Sequence, residues 1–144
     1  MIEQDTVRLL RECDAGVKMG VDSIEQVLPH VRSGNLKARL EKSRSEHEKL
    51  AKEIEHALAR YQDDGKSPNP IAKTMSTMKT NMELMISEDD KTIASLMTDG
   101  CNMGVKSLNK YLNEFEAADE NSKDICKRLI HLEESLTHQI RDFL

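Results

Sequence analysis

Apolar residues recur at three- and four-residue steps along four separate stretches of this chain, a spacing that puts them on one face of a helix. Residues 6–32 carry Val7, Leu10, Val17, Val21, Ile24, Leu28 and Val31, with Asp14 in the one polar slot of the seam. Residues 36–62 carry Leu40, Ser43, His47, Leu50, Ile54, Ala57 and Tyr61. Residues 88–117 carry Ala94, Thr98, Cys101, Val105, Leu108, Leu112 and Phe115. Residues 122–143 carry Cys126, Leu129, Glu133, Leu136, Ile140 and Phe143. Composition excludes the main competitor: with 3 % aromatic residues, no Trp, six Gly and three Pro, the chain is too poor in strand and turn formers for a sandwich or barrel.

The breaks between these stretches are short or punctuated. Pro29 kinks or ends the first helix. Ser33-Gly34-Asn35 is a tight turn, with Asn35 as the expected N-cap of the second helix. Helices of about 27 residues are roughly 40 Å long, and so short a turn lays them antiparallel and side by side. Asp63-Asp64-Gly65-Lys66-Ser67-Pro68 ends the second helix. Asn69-Pro70 then opens a shorter amphipathic helix, residues 69–86, whose stripe is Ile71, Met75, Met78, Met82 and Met85 and is read as pliable core filler. Ser87-Glu88-Asp89-Asp90 has the form of a capping box and opens the third long helix, and a turn at 118–121 leads to the last one.

The first and third long helices read as copies. Laying 13–31 on 97–115 pairs Gly16 with Gly100, Met19 with Met103, Gly20 with Gly104, Val21 with Val105, Ser23 with Ser107 and Leu28 with Leu112. The second and fourth helices align through Glu48/Glu134, Leu50/Leu136, Ile54/Ile140 and Leu58/Leu144. The expected fold is therefore all-α: one domain over 1–144, built as an antiparallel, left-handed four-helix bundle. One helical hairpin, used twice (6–62 and 88–144), is joined by a long crossover that holds the short fifth helix.

Paired hairpins, a long crossover and polar seam positions resemble the ferritin-like superfamily. The chain is similar to small uncharacterised bacterial members of it in the Asp-Ala-Gly-Val-Lys-Met-Gly segment at 14–20, the Glu-His-Glu-Lys-Leu segment at 46–50, and the acid-rich helix start followed by Asp99-Gly100. The resemblance implies a bundle-core metal centre, of iron or manganese, held by Glu on two helices and Glu-x-x-His on the other two. This sequence departs from that set. His47 and Glu133 occupy equivalent positions, but Arg44 and Ile130 stand where the motif's Glu belongs, and Val17 and Cys101 hold the mid-helix positions of the other two helices. The literal Glu53-Ile54-Glu55-His56 puts His56 off the seam, as His30, His131 and His138 are off it. His131, Glu134 and His138 form an outer stripe, read as a hydrated face.

Asp14, His47 and Glu133 are thus the candidate site. Read as structure, they are polar core groups, with a hydrogen bond or ion pair between His47 and Glu133. Read as chemistry, they are an altered metal site, a small oxidase or a metal store. A buried imidazole or carboxylate must be paired or turn neutral. Each also lies across its hairpin from a mid-helix glycine, Gly20 or Gly104, where a missing side chain leaves room.

No Gly-rich phosphate loop follows a strand, and no nucleophile with an oriented His assembles on these seams. A net charge of −5 disfavours nucleic acid, and no apolar run is long enough to span a membrane. Met1–Asp5 has no signal-peptide pattern, and Cys13, Cys101 and Cys126 are odd in number without CxxC spacing, so a cytoplasmic protein with reduced thiols is expected. The sequence leans away from an enzyme. It reads as a bundle that binds a protein partner or self-associates as a homodimer or larger oligomer, without a cofactor.

Overall fold

The computed structural model describes residues 2–68, 80, 81, 84 and 89–144. Four long helices pack together: α1 (Ile2–Val27), α2 (Gly34–Ala59), α3 (Asp90–Glu114) and α4 (Glu120–Ile140). Short 3-10 turns follow α1 (Leu28–His30) and α4 (Arg141–Phe143). Among the described residues there is no strand, and no helix is long and apolar enough to cross a membrane. The expected 69–86 helix, with its Met stripe, falls mostly outside the described residues. Of that span Thr80, Asn81 and Leu84 are helical, and Leu84 is buried in the core.

Helix ends follow local chemistry. Pro29, with no amide hydrogen and a fixed φ, stops α1 at Val27 and leaves a 3-10 turn. The cap of α2 is Ser33 rather than Asn35: its hydroxyl accepts from the Leu36 amide, so the helix starts two residues earlier than the turn signal suggested. Ser87 lies outside the described residues, and the observed cap of α3 is Asp89, which accepts from the Thr92 amide at 2.8 Å. Asp119 caps α4 through the Ser122 amide.

Helix α1 packs on α2, α3 and α4, and α4 packs on α2 and α3. Because α1 meets three neighbours, it buries a wider face than a single seam. Leu9, Cys13 and Val27 are buried beside Leu10, Val17 and Ile24, while Val7, Val21, Leu28 and Val31 are only partly covered. The core face of α3 is likewise turned from the expected seam: Ile93 and Met97 are buried, and Val105 and Leu112 are half-buried.

The α1–α2 turn is tied to the start of α3, and the α3–α4 turn to the start of α1. The Asp90 carboxylate accepts from the Arg32 and Ser33 amides at 2.8 and 2.9 Å, fastening the α1–α2 turn. At the other end the Thr6 hydroxyl accepts from the Asp119 amide at 2.8 Å and Asp5 accepts from the Ala117 amide, fastening the α3–α4 turn. Between these ends the core falls into two apolar halves. Leu9, Leu10, Val17, Leu50, Ile54, Leu58, Ile125 and Leu129 lie in one; Ile24, Leu36, Leu40, Leu84, Ile93, Leu136 and Ile140 lie in the other. A polar layer lies between them.

Candidate functional site

Four helices contribute to this layer: Gly20 from α1, Ser43 and His47 from α2, Cys101 and Gly104 from α3, and Glu133 from α4. His47 is 1 % exposed and Glu133 8 %, so each needs a partner. His47 Nε2 lies 2.9 Å from Glu133 Oε1, and His47 Nδ1 lies 2.7 Å from the Ser43 carbonyl oxygen. A carbonyl only accepts, so Nδ1 carries a hydrogen and donates. Burial pushes the imidazole pKa down, but the hydrogen bond and charge of Glu133, with the Ser43 carbonyl, outweigh it and hold it above 6.5. Both ring nitrogens therefore face acceptors, an arrangement that favours the doubly protonated ring.

The two glycines are not alike. A Cβ on Gly20 would stand 2.7 Å from His47 Cδ2 and Nε2, closer than packed atoms come. A Cβ on Gly104 would meet Glu133 Cδ and Oε2 at 3.8 Å, an ordinary contact. The imidazole thus fills the space that Gly20 leaves, whereas Gly104 leaves slack beside the carboxylate. The Cys101 thiol completes the layer. Burial, together with the charge of Glu133 and a hydrogen bond to it, keeps this thiol protonated.

Asp14 stands apart. Six residues before Gly20 on α1, it is about 9 Å along the helix from the layer. Its Oδ2 accepts from Lys18 Nζ at 2.7 Å and from the Lys66 amide at 2.9 Å, while Lys66 Nζ reaches Glu12. Gly65, at φ +89°, turns the loop beside Asp14, where a Cβ would collide with the carboxylate. Asp14 therefore anchors the loop after α2, and of the three expected site residues only His47 and Glu133 are brought together.

Among the described residues, no group of three or more His, Cys, Asp or Glu side chains is placed to hold a metal ion. The residues at the polar layer do not fit the implied iron or manganese: both His47 nitrogens face protein acceptors, and the ring is seated against Gly20. Glu53 of the literal Glu-x-x-His instead forms a two-pronged ion pair with Arg128 of α4, at 2.6 and 2.9 Å, and His56 is exposed. His131, Glu134 and His138 line a shallow surface depression with Ser135 and Gln139.

The sequence put Cys101 at the mid-helix position of the third seam but not among the candidate site residues, and the structure places it beside Glu133. Compared with known proteins, the chain matches no family model, no curated protein and no solved structure.

Proposed function

We propose that this chain is a non-enzymatic bundle of the ferritin-like type that acts by binding a protein partner or by self-association, and that its polar layer is structural. The observation that carries this reading is the closure of the layer by the protein's own groups. Both nitrogens of His47 are engaged, its ring occupies the space beside Gly20, and Glu133 is its partner. Chemistry is then left to the outer faces, where Ile2 and Met103 are exposed apolar side chains.

The architecture proposed with it is a duplicated antiparallel hairpin. Support comes from matched contacts. Ser33 and Asp119 are both N-caps, and their amides are held by Asp90 and Thr6, residues that the internal alignment makes equivalent. Gly20 faces His47 as Gly104 faces Glu133. Leu50 and Leu136, each three residues past the polar pair, lie in opposite halves of the core.

The test is elemental analysis of the chain purified without chelator, paired with light scattering over a range of concentration. The reading expects well under one metal ion per chain. It also expects either a mass above the 16.4 kDa of one chain or, for a monomer, recovery of a stoichiometric protein partner. Iron or manganese at about two ions per chain, the complement of a di-iron-type centre, would overturn it.

A further inference from the structure

Two of the three cysteines are buried thiols that the polar layer does not use. Their placement follows from the register of α1 on α4. Thr6 meets Asp119 at a sequence separation of 113. Gly16 meets Leu129, and Gly20 meets Glu133, at that same separation. A constant offset means that the two helices run in the same direction in fixed register. Cys13 and Cys126 share the offset and sit between the first and second of these contacts. Both are fully buried in one apolar half of the core. A Cβ on Gly16 would stand 3.7 Å from Leu129 Cδ2, an ordinary contact, so α1 and α4 face each other directly here. A disulfide needs Cα atoms within about 4.4–6.8 Å, a spacing open to residues that face each other across helices packed about 8–10 Å apart, because Cα atoms lie about 2.3 Å off each axis.

We propose that Cys13 and Cys126 are a dithiol modification site, joined by an oxidant of the peroxide class into one reversible disulfide between α1 and α4. The contact between the two thiols shifts them in opposite directions, Cys13 up and Cys126 down. In the resting protein the Cys126 thiol donates to the Leu108 carbonyl oxygen on α3 at 3.8 Å, and this bond is given up when Cys126 ionises. Peroxide enters by local opening of the helices. The Cys126 thiolate attacks one peroxide oxygen, the O–O bond breaks, and the departing hydroxide is protonated to water, leaving a sulfenic acid at Cys126. The Cys13 sulfur then displaces that hydroxyl, which leaves as a second water with the Cys13 proton. Two thiols are oxidised by two electrons and one peroxide is reduced to two waters. Cys101 is out of range: it belongs to the Glu133 layer, seven residues and about 10 Å along α4 from Cys126.

The test uses the native full-length chain treated with hydrogen peroxide, alkylated, digested without reductant and mapped by mass spectrometry. The expected result is one linked pair of peptides, Cys13 with Cys126, with Cys101 alkylated and the linkage lost on adding dithiothreitol. Cys101→Ser should leave the linkage intact, and Cys13→Ser should abolish it. Thiols that survive excess peroxide unlinked, sulfinic acids without the linkage, or a linkage that forms only in denaturant would each overturn the proposal. Because the wild-type map decides alone, a variant that fails to fold leaves the test standing.

Discussion

At the residue scale, Gly20 and Gly104 separate a constrained glycine from a tolerant one. Gly20→Ala must displace the His47 ring and should destabilise by about 2 kcal/mol or more, the range of overpacked cores. Gly104→Ala meets only ordinary contacts and gains helix propensity, so it should be neutral or stabilise by up to about 1 kcal/mol. Urea denaturation of both variants checks this, and equal losses would contradict the assigned contacts. His47 carries a pH dependence of definite sign. Its folded pKa lies above the ordinary 6.5. Its stabilising contribution is therefore complete below that ordinary value and fades as pH rises through the folded one. The stability advantage of the wild type over His47→Leu/Glu133→Leu should shrink from pH 6.5 upward, measured by denaturation across pH. An advantage that grows over that range would mean a neutral buried imidazole.

At the element scale, the turns are held by reciprocal staples. Asp90→Ala removes the acceptor of two amides and should cost about 1–3 kcal/mol, with faster hydrogen exchange at Arg32 and Ser33. Thr6→Val should speed exchange at Asp119 at the opposite end of the bundle. Uniform exchange in either variant would show that the turns are not held locally. Leu50→Ala and Leu136→Ala should each cost about 2–5 kcal/mol, as both are buried. By contrast, Glu53→Ala breaks an ion pair that is nearly half exposed on both sides, and should cost less than about 1 kcal/mol. Much of this was legible in the sequence. The α2 seam, read from period alone, matches the buried residues from Leu40 to Ala57, and the α4 seam names buried residues from Cys126 to Ile140 but leaves out Ile130. The α1 and α3 faces were read too narrowly or slightly rotated, because a single sequence does not say how many neighbours a helix will meet. The caps slipped by a residue or two because Ser, Asn and Asp are all competent caps, and only the approaching backbone selects among them.

At the scale of the whole molecule, two apolar halves are divided by one His–Glu pair drawn from α2 and α4. The contact between His47 and Glu133 was expected from their places on the second and fourth seams. That Asp14 lies apart from this pair was not legible, because the loop that holds it, through Lys66 and Gly65, lies beyond any seam pattern. The central claim is that His47 and Glu133 satisfy each other as a structural pair. A double-mutant cycle on stability, with His47→Leu, Glu133→Leu and both together, tests it most directly. Removing one partner strands the other in the core and should cost about 3–5 kcal/mol. The double substitution removes both desolvation penalties and should be less destabilising than His47→Leu alone. Additive losses in the cycle, or single variants more stable than the wild type, would contradict the account, the second outcome marking a strained, metal-free ligand set.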